Sequence, residues 1–508
     1  MSRLNPMRKP LFVISLLGAL GLAACASGPD FERPAAPSAS AYRAADQEPT
    51  AATPVEGGAS QRYASGNKIA ADWYRLFGST KLDQLIEGAL RDNPTLEAAQ
   101  ARLHQARYEL AANDASLYPK LDADLGASRQ RANASALGLR SIPPSTFNLY
   151  SAGLSLSYDL DLAGANRRAI ESAEAQAEAQ RYDLLGTYLT LVDNLVVTAL
   201  DAAVIHDRIV ATESIIKNDH RQLELVQAQL QAGAVSEADV LRSNAQLAAE
   251  LATLPGLRQA LVVQQTQLAI LSGKDPGSFQ APDLSLADLK LPETLPYSLP
   301  SELVRQRPDI LAAESQLHAA NAQVGVATAN LYPHFTLSAS YGGLSNDSGI
   351  LTSPAARTWA IGGGLFAPLF HGGELRAQRD ATVEAYDAAY AQYRSTVLAA
   401  FGQVTNVLNA VRNDADGLQA QYASLTSAQA SRELVQIQYR AGAVSLLDVL
   451  TAEQAYDQAD LAYLGALGQR YIDTASLYQS LGGGWWNAAE SNAAAGSKSS
   501  SGTPAPTK

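Results

Sequence analysis

The sequence predicts a mainly α-helical fold that carries transmembrane β-barrel strands, with two tandem structural repeats each giving two strands and long coiled helices. Three observations predict it. The first is a duplicated turn. Glu224–Leu241 reads ELVQAQLQAGAVSEADVL and Glu433–Leu450 reads ELVQIQYRAGAVSLLDVL, identical at 13 of 18 positions at an offset of 209. The second is a pair of alternating apolar and polar segments in each half. The third is a pair of helical runs, 165–231 and 374–440, each 67 residues long and free of proline. The repeat reaches further upstream, where Asn93–Pro119 matches Arg307–Pro333 at an offset of 214. The change of offset places five extra residues between Pro119 and Tyr150, which marks a loop tip.

The N-terminus comes first in order. Arg3, Arg8 and Lys9 precede the apolar run Leu11–Ala24. Fourteen residues fall short of the roughly 20 needed to span a bilayer, so 1–24 is a signal peptide. It ends in LAAC, Leu22 to Cys25, which resembles the lipobox of bacterial lipoproteins. The resemblance implies acylation (palmitate included) of Cys25, and Ala26 in place of aspartate implies transfer to the outer membrane. The alternative is ordinary cleavage nearby with a spare thiol. Cys25 is the only cysteine, which excludes an intrachain disulfide and paired-thiol chemistry. No other apolar run is expected to span a membrane as a helix. The net charge of −12 argues against nucleic acid, whose phosphates need basic clusters.

Residues 25–78 form an N-terminal linker rich in Ala, Pro, Ser and Gly. The first repeat is expected over 79–276 and the second over 301–486. A proline-rich linker, 277–300, separates them, and 487–508 has the composition of a disordered tail. Each repeat opens with a helical segment, 79–117 or 301–331. Period-two alternation then predicts strands at about 118–131 and 147–162 in the first repeat, and about 333–345 and 357–370 in the second. Their lengths suit membrane-spanning strands. Alternation alone is equally compatible with a soluble sandwich; the lipobox and the 67-residue rods favour the membrane.

Each rod would be roughly 100 Å long as a helix. At its end Gly233 or Gly442 supplies the left-handed residue that closes a helix C-terminus. Ser236 or Ser445 then caps a returning helix, with Asp239 or Asp448 three residues on in a capping-box pattern. The tips are thus 231–241 and 439–451, and the return helices about 236–271 and 445–480, the first interrupted at Pro255-Gly256. Four strands cannot close a barrel, and open edges cannot face lipid. Several chains must share one barrel, and a barrel of strands joined to a tube of helices is a conduit.

These features resemble the outer-membrane efflux proteins, the TolC-like channel family, and within it the lipidated NodT-type or OprM-like branch. The most specific pieces are WYRLFGSTKLDQLIEGALRDNP, RQRPDILAAESQLHAANAQVGVATANLYP and the two AGAVS…DVL turns, in order and duplicated. The resemblance implies a homotrimeric α/β-barrel conduit in the outer-membrane lipid of a Gram-negative bacterium. It further implies a periplasmic adaptor protein, an inner-membrane RND transporter, passive export of small molecules, no cofactor and no enzymatic chemistry. It places Tyr439 and Asp448 at gating contacts, Asp239 as the first-repeat counterpart of Asp448, and Leu446 and Leu447 at an apolar constriction. Thr451, with Arg242 as its counterpart, departs from relatives that carry a further aspartate there. Asp239 and Asp448 could equally be helix caps alone, and Tyr439 a groove filler. His104 and His318 are repeat equivalents read as structural residues. The alternative function is a non-pore structural or adhesive helical lipoprotein; within the family, metal efflux and type I secretion stay open.

Overall fold

The computed structural model describes residues 26–36, 48–65, 69–132 and 143–487; the signal peptide, Cys25 and the tail from 488 lie outside the described residues. Two compact units emerge. Of the described residues, one unit takes those from 26–34, 102–180 and 312–393, and the other those from 35–101, 181–311 and 394–487.

The first unit holds a four-stranded antiparallel sheet in the order β2 (Lys120–Ala132), β3 (Ser145–Leu160), β5 (His334–Ser345) and β6 (Arg357–Phe366). Its register sorts side chains by face. One rung reads Ala123, Leu154, Tyr341, Trp359, and a second reads Leu121, Leu156, Ala339, Ile361. The rung between them reads Asp122, Ser155, Ser340, Ala360. One face is therefore apolar and the other polar and small, because successive side chains point to opposite sides. The apolar face is uncovered, with Trp359 72 % and Ile361 79 % exposed. A soluble sandwich would bury that face against a second sheet. β2 and β6 are the two edges, each lacking a second strand partner among the described residues.

The last strand is shorter than its alternation predicts. β6 stops at Phe366, and Leu369 and Phe370 lie beyond it, almost fully exposed. Pro368 has no N–H for a ladder, so pairing ends there.

The second unit gathers the aromatic core. Trp73 stacks on Tyr478 with ring centroids 5.3 Å apart, and Phe77, Tyr471, Leu289 and Leu295 are buried with them. Two short strands, β1 (Arg62–Ser65) and β4 (Thr294–Tyr297), pair in parallel and join the linker to the inter-repeat segment.

The longer helices are α1 (Thr80–Asp92), α2 (Pro94–Asp114), α3 (Ala165–Gln231), α4 (Glu237–Leu271), α5 (Pro308–Ala329), α6 (Glu374–Arg440) and α7 (Leu446–Ser480), and a single turn of helix, Pro300–Leu303, precedes α5. The segment 79–117, expected as one helix, breaks at Asn93. That residue precedes a proline, which disfavours the helical region, and it adopts φ −76°, ψ 119°. The same break precedes Pro308 in the second repeat. Pro255, expected to interrupt the return helix, lies inside a continuous α4. Its position on the exposed side lets solvent take up the freed carbonyl, so the helix survives the lost bond. One 18-residue window of α3 is apolar enough by composition to cross a bilayer, against expectation. Just over half of that window, 56 %, is buried within this chain, as in a core helix.

The two breaks carry a repeated clamp. Asn93 Nδ2 donates to the Leu271 carbonyl at 2.8 Å, closing the end of α4, while its Oδ1 caps α2 through the N–H groups of Thr95 and Leu96. In the second repeat Arg307 Nη1 donates to the Ser480 carbonyl at 2.7 Å, closing the end of α7. Residues 93 and 307 are equivalent at an offset of 214, and 271 and 480 at 209. Gly273 makes the close approach possible: at φ +68°, a Cβ there would sit 2.2 Å from the Asp92 carbonyl oxygen. Return helix and pre-strand helix thus abut end to end in both halves.

Candidate functional site

Both copies of the duplicated turn join a long helix to its return, α3 to α4 and α6 to α7. Gly233 and Gly442 adopt φ +76° and +74°. A Cβ at either would meet nothing within 4 Å, so the requirement is for the left-handed backbone, not for space. Ala234 N–H donates to the Gln229 carbonyl at 2.8 Å and Ala443 N–H to that of Gln438 at 2.9 Å, which satisfies the last carbonyls of each rod.

The return helices are capped alike. Asp239 Oδ2 accepts from the Ser236 N–H at 2.9 Å and hydroxyl at 2.7 Å. Asp448 Oδ2 accepts from the Ser445 N–H at 2.8 Å and hydroxyl at 2.6 Å. These bonds favour the carboxylate, so both acids titrate below the ordinary aspartate range, chiefly through the serine hydroxyl. The caps are fully formed above the unfolded carboxylate range and are lost as pH falls through the lowered value.

The two tips then diverge. Arg242 Nη1 lies 2.7 Å from Asp239 Oδ1 and offsets its charge within the same helix. At the equivalent position Thr451 turns its hydroxyl back to the Leu447 carbonyl, 2.8 Å away. Asp448 has no ion-pair partner among the described residues and keeps a net negative charge at an exposed turn.

Leu446 and Leu447, expected together at a constriction, separate. Leu446 is 4 % exposed and packs with Val226, Val449 and Leu450, whereas Leu447 is 52 % exposed. Adjacent helical residues point about 100° apart, so one of the pair fills the core and the other faces out. Tyr439 packs against the same cluster, and its hydroxyl donates to Gln229 Oε1 on α3 at 2.9 Å. It therefore ties the second hairpin to the first.

A second site lies just after Cys25. Residues 26–34 form a strap on the first unit. The Ser27 N–H donates to the Ala163 carbonyl at 2.9 Å. Arg168, a buried guanidinium, donates to the Ser27 carbonyl at 3.1 Å, to Asp30 Oδ1 at 2.7 Å and to Glu171 Oε2 at 2.7 Å. Phe31 stacks on the His318 ring at 4.4 Å, His318 meets Glu171 at 2.8 Å, and Arg33 pairs with Glu314 at 2.6 Å. His318 is thus a docking residue for the strap; nothing in the sequence pairs it with Phe31, almost 290 residues away. Arg168→Ala is expected to free the strap at a cost of roughly 1–3 kcal/mol. Faster proteolysis within 26–34 of the variant, with α3 and the sheet unchanged, would show it; an unchanged cleavage rate would contradict it.

Among the described residues no group of three or more His, Cys, Asp or Glu is placed to hold a metal ion. The remaining chemistry is that of surfaces: an apolar sheet face, two open strand edges and two capped turns.

The profile of the outer membrane efflux protein family matches residues 85–274 and again 299–483. The chain is 33 % identical over 430 residues to the pyoverdine export outer membrane protein OpmQ of Pseudomonas aeruginosa, covering 83 % of this chain and 90 % of that protein. It is 30 % identical to outer membrane protein OprJ of the same species, covering 94 % and 97 %. Nodulation protein T of Rhizobium leguminosarum is 28 % identical over 476 residues, covering 91 % and 92 %. Among solved structures, the outer-membrane channel OprN superposes with a TM-score of 0.81 at 30 % identity, covering 91 % of this chain and all of that one. The open state of the Neisseria gonorrhoeae MtrE outer membrane channel gives 0.79 at 26 % identity, covering 91 % and 98 %.

Proposed function

This chain belongs to the outer membrane efflux protein family and is an outer-membrane efflux channel; from that premise we propose that it works as a homotrimer, gated at its two helix turns, in a tripartite pump. Each chain supplies one four-stranded sheet, and three sheets join edge to edge into one closed barrel. The observation that carries this reading is the sheet itself. Its apolar face is uncovered and its edges β2 and β6 are open. Lipid covers such a face, and only closure removes such edges. A non-pore helical scaffold has no use for either.

The two-repeat organisation, 79–276 and 301–486, gives each protomer two hairpins of strands and two of helices. The helices line a periplasmic tunnel, and the turns at 231–241 and 439–451 form its closable end. There they meet a periplasmic adaptor, which links the channel to an inner-membrane RND transporter. The channel contributes a passive route and no catalysis. The cargo is small organic molecules, in keeping with a relative, OpmQ, named for the export of pyoverdine. Cys25 carries the lipid anchor; the residues that follow it, Ala26 and Ser27, seat against Ala163 and Gly164.

The test uses the scarcity of thiols, since Cys25 is the only native cysteine. Cysteines placed singly along β2 and paired with one cysteine on β6 are expected to give disulfide-linked species on a denaturing gel. The ladder should end at three chains, and the purified protein should conduct in a planar bilayer. A ladder ending at two, or continuing past three, would overturn the trimer; inserted protein that never conducts would overturn the channel.

A further inference from the structure

Three helices of the second unit, α3, α6 and α7, line a cleft of about 370 Å3 in which acids from two hairpins face one another. Asp219 from α3 and Asp457 from α7 are 7 % and 9 % exposed. Asp219 Oδ2 has no hydrogen-bond partner among the described residues. Glu250 of α4 and Glu453 of α7 add to the negative field around these two acids. From α6 come Gln436, whose amide donates to Glu453 Oε1 at 3.3 Å, and Arg432, whose guanidinium sits 3.7 Å above the Tyr456 ring. Arg221 of α3 stands at the exposed rim, and Asp460, further along α7, also feels Arg432. Lys217 and His220, beside Asp219 in sequence, are exposed.

The internal repeat isolates these acids. At the offset of 209, the equivalents of Asp219, Glu250, Glu453 and Asp457 are Ala428, Ala459, Asn244 and Ala248. The acids therefore gather at one helix interface of the chain, where α3 of the first hairpin meets α7 of the second, and not at its repeat-related counterpart. The equivalent of Asp219, Ala428, is half-buried and that of Asp457, Ala248, is exposed, so the repeated architecture itself does not call for these carboxyls.

We propose that this cleft is a proton-operated latch: protonated Asp219 and Asp457 let the second hairpin, α6–α7, pack on α3, and their deprotonation loosens it. Proton loss leaves buried like charges with too few cations to neutralise them, and water entry is the relief. Burial and the neighbouring acids push Asp219 up to about 6 and Asp457 up to about 7. A folded-state value above the unfolded one means that the packing contribution is complete below about pH 4 and is lost as pH rises through 6 to 7. The latch lies on the same two hairpins that carry the turns, so loosening it favours an open tip. This last link rests on the gated-channel reading; the packing change does not.

The experiment is hydrogen exchange of the purified full-length protein at pH 5.5 and pH 8, corrected for intrinsic exchange, read on peptides from 212–226 and 446–462. Wild type is expected to lose on the order of tenfold in protection for each of the two carboxyls at the higher pH. Asp219→Asn with Asp457→Asn, which mimics the protonated state, should hold protection level across that range. Glu213→Gln, which removes an exposed acid paired with Arg258, should titrate as wild type. Level wild-type protection would overturn the latch without any variant. An unchanged pH dependence in the double asparagine variant would overturn it as well. Bilayer conductance recorded over the same pH range separates the two readings: protection that falls with pH while no pore ever opens would retain the latch and reject the gated channel.

Discussion

Asp448→Ala is expected to raise the open probability of the channel in planar bilayers on the order of fivefold or more, the scale of a typical coupling between a switch and its state. Asp448 uses one carboxylate oxygen on Ser445 and makes no ion pair among the described residues, which leaves its second oxygen and its charge to act between chains. Asp239→Ala should have a smaller effect, because Arg242 already offsets that carboxylate from the same helix. Ser445→Ala separates capping from gating. It removes the cap hydroxyl at a cost of about 1 kcal/mol to the hairpin and leaves the Asp448 charge in place. Should Ser445→Ala open the channel as far as Asp448→Ala, the aspartate is a cap and nothing more. A rise confined to Asp448→Ala assigns it to closure.

Leu446→Ala is expected to lower the local opening free energy of the second hairpin by about 2–4 kcal/mol, since it empties a site enclosed by Val226, Val449 and Leu450. Leu447→Ala should change that stability by less than about 0.5 kcal/mol, because the side chain is already in contact with solvent. Hydrogen exchange over residues 440–452 measures both. The two variants divide the roles that adjacent leucines were expected to share. If Leu447→Ala destabilises the hairpin as much as Leu446→Ala, the assignment of Leu446 to the core and Leu447 to the outer surface fails. Conductance adds a second readout, in which Leu447→Ala should alter closure without altering the hairpin.

Much of this protein is legible because its signals are local. The strands follow from alternation between neighbours two apart, and the rods from long proline-free runs. The turns follow from a glycine and a Ser-x-x-Asp within seven residues. Proline is where the local rules and the structure part. Proline ends β6 at Phe366 and splits the helices at Asn93 and Arg307, yet on the exposed side of α4 Pro255 is tolerated.

The sequence by itself determined the class of the fold, the two tips and their caps, for each depends on residues within one or two turns of one another, and it displays the internal repeat directly as identities at offsets of 209 and 214. Only the tertiary structure decided which leucine of the tip is core, that Arg242 pairs with Asp239 while Asp448 has no ion-pair partner among the described residues, and that Tyr439 reaches Gln229. It alone paired Phe31 with His318, Asn93 with Leu271 and Arg307 with Ser480. It alone gathered Asp219 and Asp457 into one cleft. The physical reason is that such contacts depend on how each long helix is rotated and registered against partners far away in sequence. A rotation of one residue, about 100°, exchanges a buried acid for an exposed one.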